Sequence, residues 1–255
     1  MNGMAARNAA RAIKARLVPL AAAELGCAPG TVVFAGNEAR GGRRSMSLAA
    51  LAKKAFLARV SLSAAGYYRT PKIHFDRALW RGRPFLYFAY GAAASEVVLD
   101  TLTGEYRLLR VDILHDTGRS LNPAIDMGQI EGGFIQGAGW LTSEELVYDE
   151  KGRLATRAPS TYKIPAASDC PADFRVAIWK QGRNREPAIG RSKAVGEPPL
   201  MLAISVYHAI RDALCSAAGR TVHLDAPATP ERVLLALEDA AATAVAAAGK
   251  REAAE

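Results

Sequence analysis

Two stretches of this chain set a polar side chain among glycines, an arrangement that suits ligand approach. The first is Gly128-Gln129-Ile130-Glu131-Gly132-Gly133-Phe134-Ile135-Gln136-Gly137. A glutamine amide offers two donors and an acceptor to a polar ligand. Glycines beside it remove side chains that would block the approach. The second stretch is Ser192-Lys193-Ala194-Val195-Gly196-Glu197-Pro198-Pro199. Proline disfavours the helical region for the residue before it, so Glu197 is expected to be extended. The prolines themselves suit the first turn of a following helix, where a missing N–H costs little. This places the Glu197 carboxylate at a helix N-terminus among apolar neighbours. The helix dipole favours the anion there and burial disfavours it. Such a group acts either as a helix cap or as a general base with a proton source in reach. The glycine-rich stretch leaves the same kind of choice open, between a tightly packed helix and a ligand-facing one. A third segment, 159–165, sets Ser160-Thr161-Tyr162-Lys163-Ile164 between two prolines and reads as a fixed loop.

Other chemistry is disfavoured. Cys27, Cys170 and Cys215 are far apart and form no C-x-x-C pair. The four histidines have no metal-ligand spacing. No protein-held zinc or iron–sulfur site is therefore expected. There is no phosphate-binding P-loop and no nucleophile elbow, and no strand-to-helix junction carries a dinucleotide-binding glycine motif. The net charge is +8. All of it resides in residues 1–60, where ten Lys and Arg face Glu24 and Glu38. This basic segment lacks interleaved aromatics beyond Phe34 and Phe56, so nucleic acid is not expected as a partner. Arg40, Arg43 and Arg44 read as a solvated loop. No apolar run reaches the roughly 18 residues of a membrane span. Arg7, Arg11, Lys14 and Arg16 interrupt the first apolar stretch, unlike a signal peptide. The expectation is a cytoplasmic chain with no membrane partner.

The elements that must position these residues follow from composition and punctuation. Residues 4–24 are Ala-rich and helical, with Pro19 as a kink or break and Gly26 as the stop. Val32–Ala35 suits a short strand, and Ser47 caps a second helix. Phe85–Tyr90 is aromatic and strand-like. Glu96–Asp100 and Tyr106–Asp116 form a hairpin with Gly104 at its tip. Residues 124–140 form the glycine-rich helix. Strands are expected at Glu144–Tyr148 and Phe174–Trp179. Pro198 opens a long apolar helix that closes near Gly219. Thr229 and Pro230 start a last helix to about residue 247, followed by a frayed tail. The sum is an α+β architecture of mixed sheets flanked by helices.

The ordered set of motifs carries a resemblance. Gly66-Tyr67-Tyr68-Arg69-Thr70-Pro71, Tyr90-Gly91, Ser95-Glu96-Val97, Leu102-Thr103-Gly104, Ser120–Asp126, Gly128–Gly137, Pro159–Pro165 and Ser192–Pro199 occur in the order and at the spacing of xanthine dehydrogenases. From about residue 2 to about residue 219 the chain resembles the C-terminal portion of the molybdenum-binding subunit of these molybdenum hydroxylases. The resemblance implies a molybdenum–molybdopterin cofactor, its metal held by the pterin dithiolene and not by side chains. It implies hydroxylation of hypoxanthine and xanthine towards urate. Glu197 matches the family's proton-accepting glutamate and Gln129 its pterin-contacting glutamine. Gly128, Val195 and Gly196 would line the cofactor, with Glu131, Gln136 and Lys193 in supporting roles. The implied domains are 1–65, the end of a first cofactor-lining domain; 66–222, a second molybdopterin-binding domain; and 223–255, a C-terminal helix and tail.

The family's subunit extends upstream of the region matched here. There it carries a second active-site glutamate, a substrate-binding arginine and the aromatics that sandwich the purine. The expected partners are that upstream half and an iron–sulfur and FAD subunit or domain, without which the chain is expected to be inactive. Two alternatives stay open: another purine or aldehyde hydroxylase, and a non-catalytic fragment.

Overall fold

The structure is a computed structural model that describes residues 1–252, with side-chain surroundings described through Thr243. The chain divides into two compact units, at Leu86/Tyr87.

The first unit opens with α1, Asn2–Leu25. Pro19 lies inside it without ending it. Gly26 ends the helix in the left-handed region, with φ 65°, and the Cys27 N–H then bonds the Ala22 carbonyl. An antiparallel sheet follows, made of β1 (Val33–Ala35), β2 (Glu38–Gly41) and β3 (Arg44–Ser47). The Ser47 hydroxyl accepts from the Ala50 N–H and caps α2, Leu48–Leu57. Leu17, Ala21, Leu25, Ala39, Leu51 and Ala55 form the core of this unit. A short hairpin, β4 (His74–Asp76) with β5 (Arg81–Arg83), completes it.

The second unit is built on a mixed sheet. β6 (Gly91–Leu99) pairs antiparallel with β7 (Tyr106–His115), with a bulge between Glu96 and Val97. β8 (Asp173–Ile178) lies parallel on the other side of β7. Between these parallel strands the chain forms α3, Pro123–Thr142. A 3-10 segment, Pro198–Ala203, leads directly into α4, Ile204–Ala218. Helices α3 and α4 pack on one face of the sheet, burying Ile130, Phe134, Ile210 and Leu214 against Val111 and Ile113. Fully burying an aliphatic or aromatic side chain of this size contributes about 1.5–3 kcal/mol. Such burial is what holds α3 and the 198–203 segment in register.

Helix α5 runs Pro230–Glu252, beyond the expected end at 247. Residues 253–255 of the expected tail lie outside the described residues. The tip of the β6–β7 hairpin presses on the start of α5. Gly104 (φ 72°) leaves no room for a Cβ, which would sit 2.2 Å from the Pro230 carbonyl. The Tyr106 hydroxyl donates to the Ala228 carbonyl at 2.7 Å, and burial pushes its pKa up to about 12.

Three expectations are corrected. Phe85–Tyr90 forms no strand. Its polar groups are used individually: the Tyr90 carbonyl accepts from the Asp116 N–H, and the Tyr87 hydroxyl accepts from the Ala194 N–H. Glu144–Tyr148 forms no strand either. The Glu144 N–H turns back to Gly139, the Val147 N–H goes to the Thr156 hydroxyl, and only Tyr148 bridges Leu154. Finally, Pro198–Ala218 is long and apolar enough by composition to cross a membrane. One face of it packs into the core, with Val206, Ile210 and Leu214 at 2% exposure or less.

Candidate active site

The 192–197 loop is fastened to the end of β7 just before its candidate residues. The Lys193 ammonium meets the Asp116 carboxylate at 2.5 Å, and both side chains are 6% exposed. The other Asp116 oxygen accepts the Gly118 N–H at 2.8 Å. Along the backbone, the Lys193 N–H donates to the Thr117 carbonyl at 2.8 Å, and Ser192 bridges Gly118. The ammonium also lies over the Tyr90 ring, 4.7 Å from its centroid. Val195 follows, 7% exposed in the core of the unit. Gly196 and Glu197 then emerge at the surface.

The opposite wall is α3. Asn122 caps it, with Pro123 at the first position. Its glycines serve two different ends. A Cβ on Gly133 would lie 3.1 Å from Pro199 Cβ, and one on Gly137 would lie 2.3 Å from the Leu200 carbonyl oxygen. These two let the 198–203 segment approach the helix backbone. Gly128 and Gly132 face open space, with nothing within 4 Å of an added Cβ. At Gly196 the nearest atom to an added Cβ is the Gln129 side-chain oxygen, at 3.5 Å. Gln129 and Gly196 thus lie side by side at the surface, Gly128 and Glu197 are their exposed chain neighbours, and Val195 is anchored in the core.

Glu197 differs from expectation in two ways. Its backbone is αR (φ −95°, ψ −38°) and not extended. Its side chain is exposed and makes no capping bond. The reason is local. Residues 198 and 199 are prolines without N–H groups, and the first available donor, the Leu200 N–H, bonds the Glu197 main-chain carbonyl at 3.1 Å. No donor is left for the carboxylate to cap. Of the two roles open from sequence, the cap is not taken.

The profile of the molybdopterin cofactor-binding domain matches residues 1–171. The chain belongs to this molybdopterin-binding family. It is 52% identical over 193 residues to the xanthine dehydrogenase/oxidase of Felis catus, which covers 72% of this chain and 14% of that protein. It is 47% identical over 194 residues to aldehyde oxidase 1 of Cavia porcellus, again 74% of this chain and 14% of the relative. Among solved structures it resembles quinoline 2-oxidoreductase from Pseudomonas putida 86. The TM-score is 0.65 with 26% identity, over 90% of this chain and 28% of that one. The chain spans about one seventh of the length of these first relatives.

The residues on the open face fit a molybdopterin. The donors there are an amide, a carboxylate and glycine backbone, which suit a polar organic group; they include no thiolate or imidazole that would hold a soft metal ion directly. Among the described residues no cluster of three or more His, Cys, Asp or Glu could hold a metal ion. The spaces beside Gly128 and Gly132 would be filled by any larger side chain, so glycine there keeps the face accessible.

Sequence reasoning missed the residues behind the loop. Asp116 read only as the end of a strand, and His115 carried no spacing signal. His115 is 1% exposed, and neither ring nitrogen has a hydrogen-bond partner. Burial lowers its pKa; Asp116 opposes that and Lys193 reinforces it. The folded chain therefore holds a neutral imidazole, while the unfolded chain takes up a proton near the ordinary value of about 6.5. Stability from this group is complete above that pH and is lost as pH falls through it towards the lowered folded value. The thermal midpoint of the wild type should fall more steeply between pH 7 and pH 5 than that of His115→Leu. Equal slopes in the two proteins would remove His115 as the source.

Proposed function

We propose that the chain is the C-terminal portion of the molybdenum-binding subunit of a xanthine dehydrogenase-type hydroxylase, converting hypoxanthine and xanthine towards urate. The observation that carries this reading is the approach of the Gln129 side chain to Gly196, the residue before Glu197, beside the open space at Gly128 and Gly132. Molybdenum–molybdopterin, when bound, supplies the oxidising centre that lets water's oxygen be added at an electron-poor C–H carbon. The Gln129 amide would hold the pterin by hydrogen bonds, and Gly128, Gly132 and Gly196 would permit its close approach. The Glu197 carboxylate, exposed and free of a cap, accepts the proton released as the oxygen is transferred. Iron–sulfur and FAD modules carried on other domains or chains would take up the electrons, and an upstream half of the subunit would complete the purine site. The similarity to an aldehyde oxidase supports a second reading, in which the same residues act on an aldehyde or an N-heterocycle.

The test is elemental analysis and turnover of the enzyme purified from its own source. About one molybdenum per chain, with urate formed from xanthine, is expected. Molybdenum with turnover of aldehydes alone would select the second reading. A natively purified protein without molybdenum would overturn both.

A further inference from the structure

We infer that the buried Asp116–Lys193 pair positions the Glu197 loop for turnover, beyond any contribution to stability. This rests on the reading of Glu197 as the proton acceptor.

The two side chains are 77 positions apart in sequence and meet at 2.5 Å. Both are nearly inaccessible, at 6% exposure. Lys193 is only four residues before Glu197. The segment between them has few other ties. The Ala194 N–H reaches the Tyr87 hydroxyl at 3.1 Å, and Val195 enters the core. Gly196 is exposed and brings no side chain to hold the backbone. The carboxylate of Glu197 makes no capping hydrogen bond. Its location is therefore inherited from the fixed points on either side. Downstream these are Pro199 and Leu200 against α3. Upstream the fixed point is Lys193, held by Asp116 and stacked on Tyr90. Asp116 is itself fixed by the Gly118 N–H and the end of β7. Gly182 also approaches it so closely that a Cβ there would be 2.3 Å from the carboxylate.

A buried pair is a poor device for stability alone. Removing one partner leaves an uncompensated charge, whereas replacing both by neutral groups of similar shape is often neutral or stabilising. That asymmetry separates positioning from stability. Asp116→Asn keeps an acceptor for the Gly118 N–H, and Lys193→Met keeps an apolar stem over Tyr90.

The two single variants, the double variant and Glu197→Gln are made in the molybdenum-loaded enzyme purified from its native source. Melting temperature, steady-state kinetics and hydrogen exchange of the 192–197 segment are compared. Each single variant should lower the melting temperature by roughly 5–15 °C. The double variant should return to within about 2 °C of wild type. Its kcat should nonetheless stay roughly 10- to 100-fold down with KM changed less than about twofold. Its 192–197 segment should exchange at least about tenfold faster. A double variant with wild-type exchange overturns the inference, whatever its kcat, and so does one with wild-type kcat. Glu197→Gln reads the underlying assignment separately. If it retains turnover with normal exchange, Glu197 is not the acceptor, while the exchange of the double variant still decides whether the pair holds the loop.

Discussion

Glutamine in place of Glu197 should lower kcat for xanthine by roughly 10²–10⁴-fold, the usual contribution of a positioned general base. The change is nearly isosteric but removes the ability to accept a proton at neutral pH. Stability should move by no more than about 0.5 kcal/mol. The reason lies in the surroundings: the carboxylate is exposed and makes no capping bond, so the fold loses nothing when its charge is removed. An ordinary helix cap would behave in the opposite way. Its loss would cost about 0.5–2 kcal/mol and leave turnover intact. Initial rates of urate formation, thermal melting and molybdenum content of wild type and variant distinguish the two. A variant that keeps most of its kcat with a full complement of molybdenum would take the base role away from Glu197.

How much of this site was legible beforehand depends on the range of the interaction. The caps at Ser47, Asn122 and Thr229, the left-handed stops at Gly26 and Gly219 and the hairpin at Gly104 are all decided within a few residues. Each could be read from local sequence. Helix α3 could be read as a helix, but its glycines could not be sorted by pattern. Gly133 and Gly137 are demanded by a segment more than 60 residues later, whereas Gly128 and Gly132 meet nothing. The juxtaposition of Gln129 with Gly196 has the same character and came from the resemblance, not from spacing. The failed strands show the converse. Phe85–Tyr90 and Glu144–Tyr148 have the right side chains for a sheet, but intrinsic preference does not say where their backbone partners are. The αR backbone of Glu197 also went against the local rule for a residue before proline. The Asp116–Lys193 pair was invisible because neither residue has a local signature and the contact is wholly tertiary.

Valine at Gly137 should damage both stability and turnover. Its Cβ would lie 2.3 Å from the Leu200 carbonyl oxygen and 2.8 Å from Ala203 Cβ, at a point where Gly137 and Ala203 are both buried. One contact is backbone, which cannot rotate away, so the two elements must separate. Overpacking of this kind costs about 1–3 kcal/mol and more where the neighbour cannot yield. For a domain of this size that is a fall of roughly 2–12 °C in melting temperature. Turnover should fall further than stability does, because the displaced segment begins at Pro198, next to Glu197. Alanine at Gly132 is the matching control. It sits in the same helix, meets no atom within 4 Å, and should raise stability by about 0.5–1 kcal/mol through helix propensity alone. If Gly132 faces the pterin, that gain comes with a lower molybdenum content. If the space beside it is merely solvent, content is unchanged. Melting curves and metal analysis of the two variants therefore separate the glycines that serve packing from those that serve the cofactor, and equal melting of Gly137→Val and wild type would show that the close approach does not order the site.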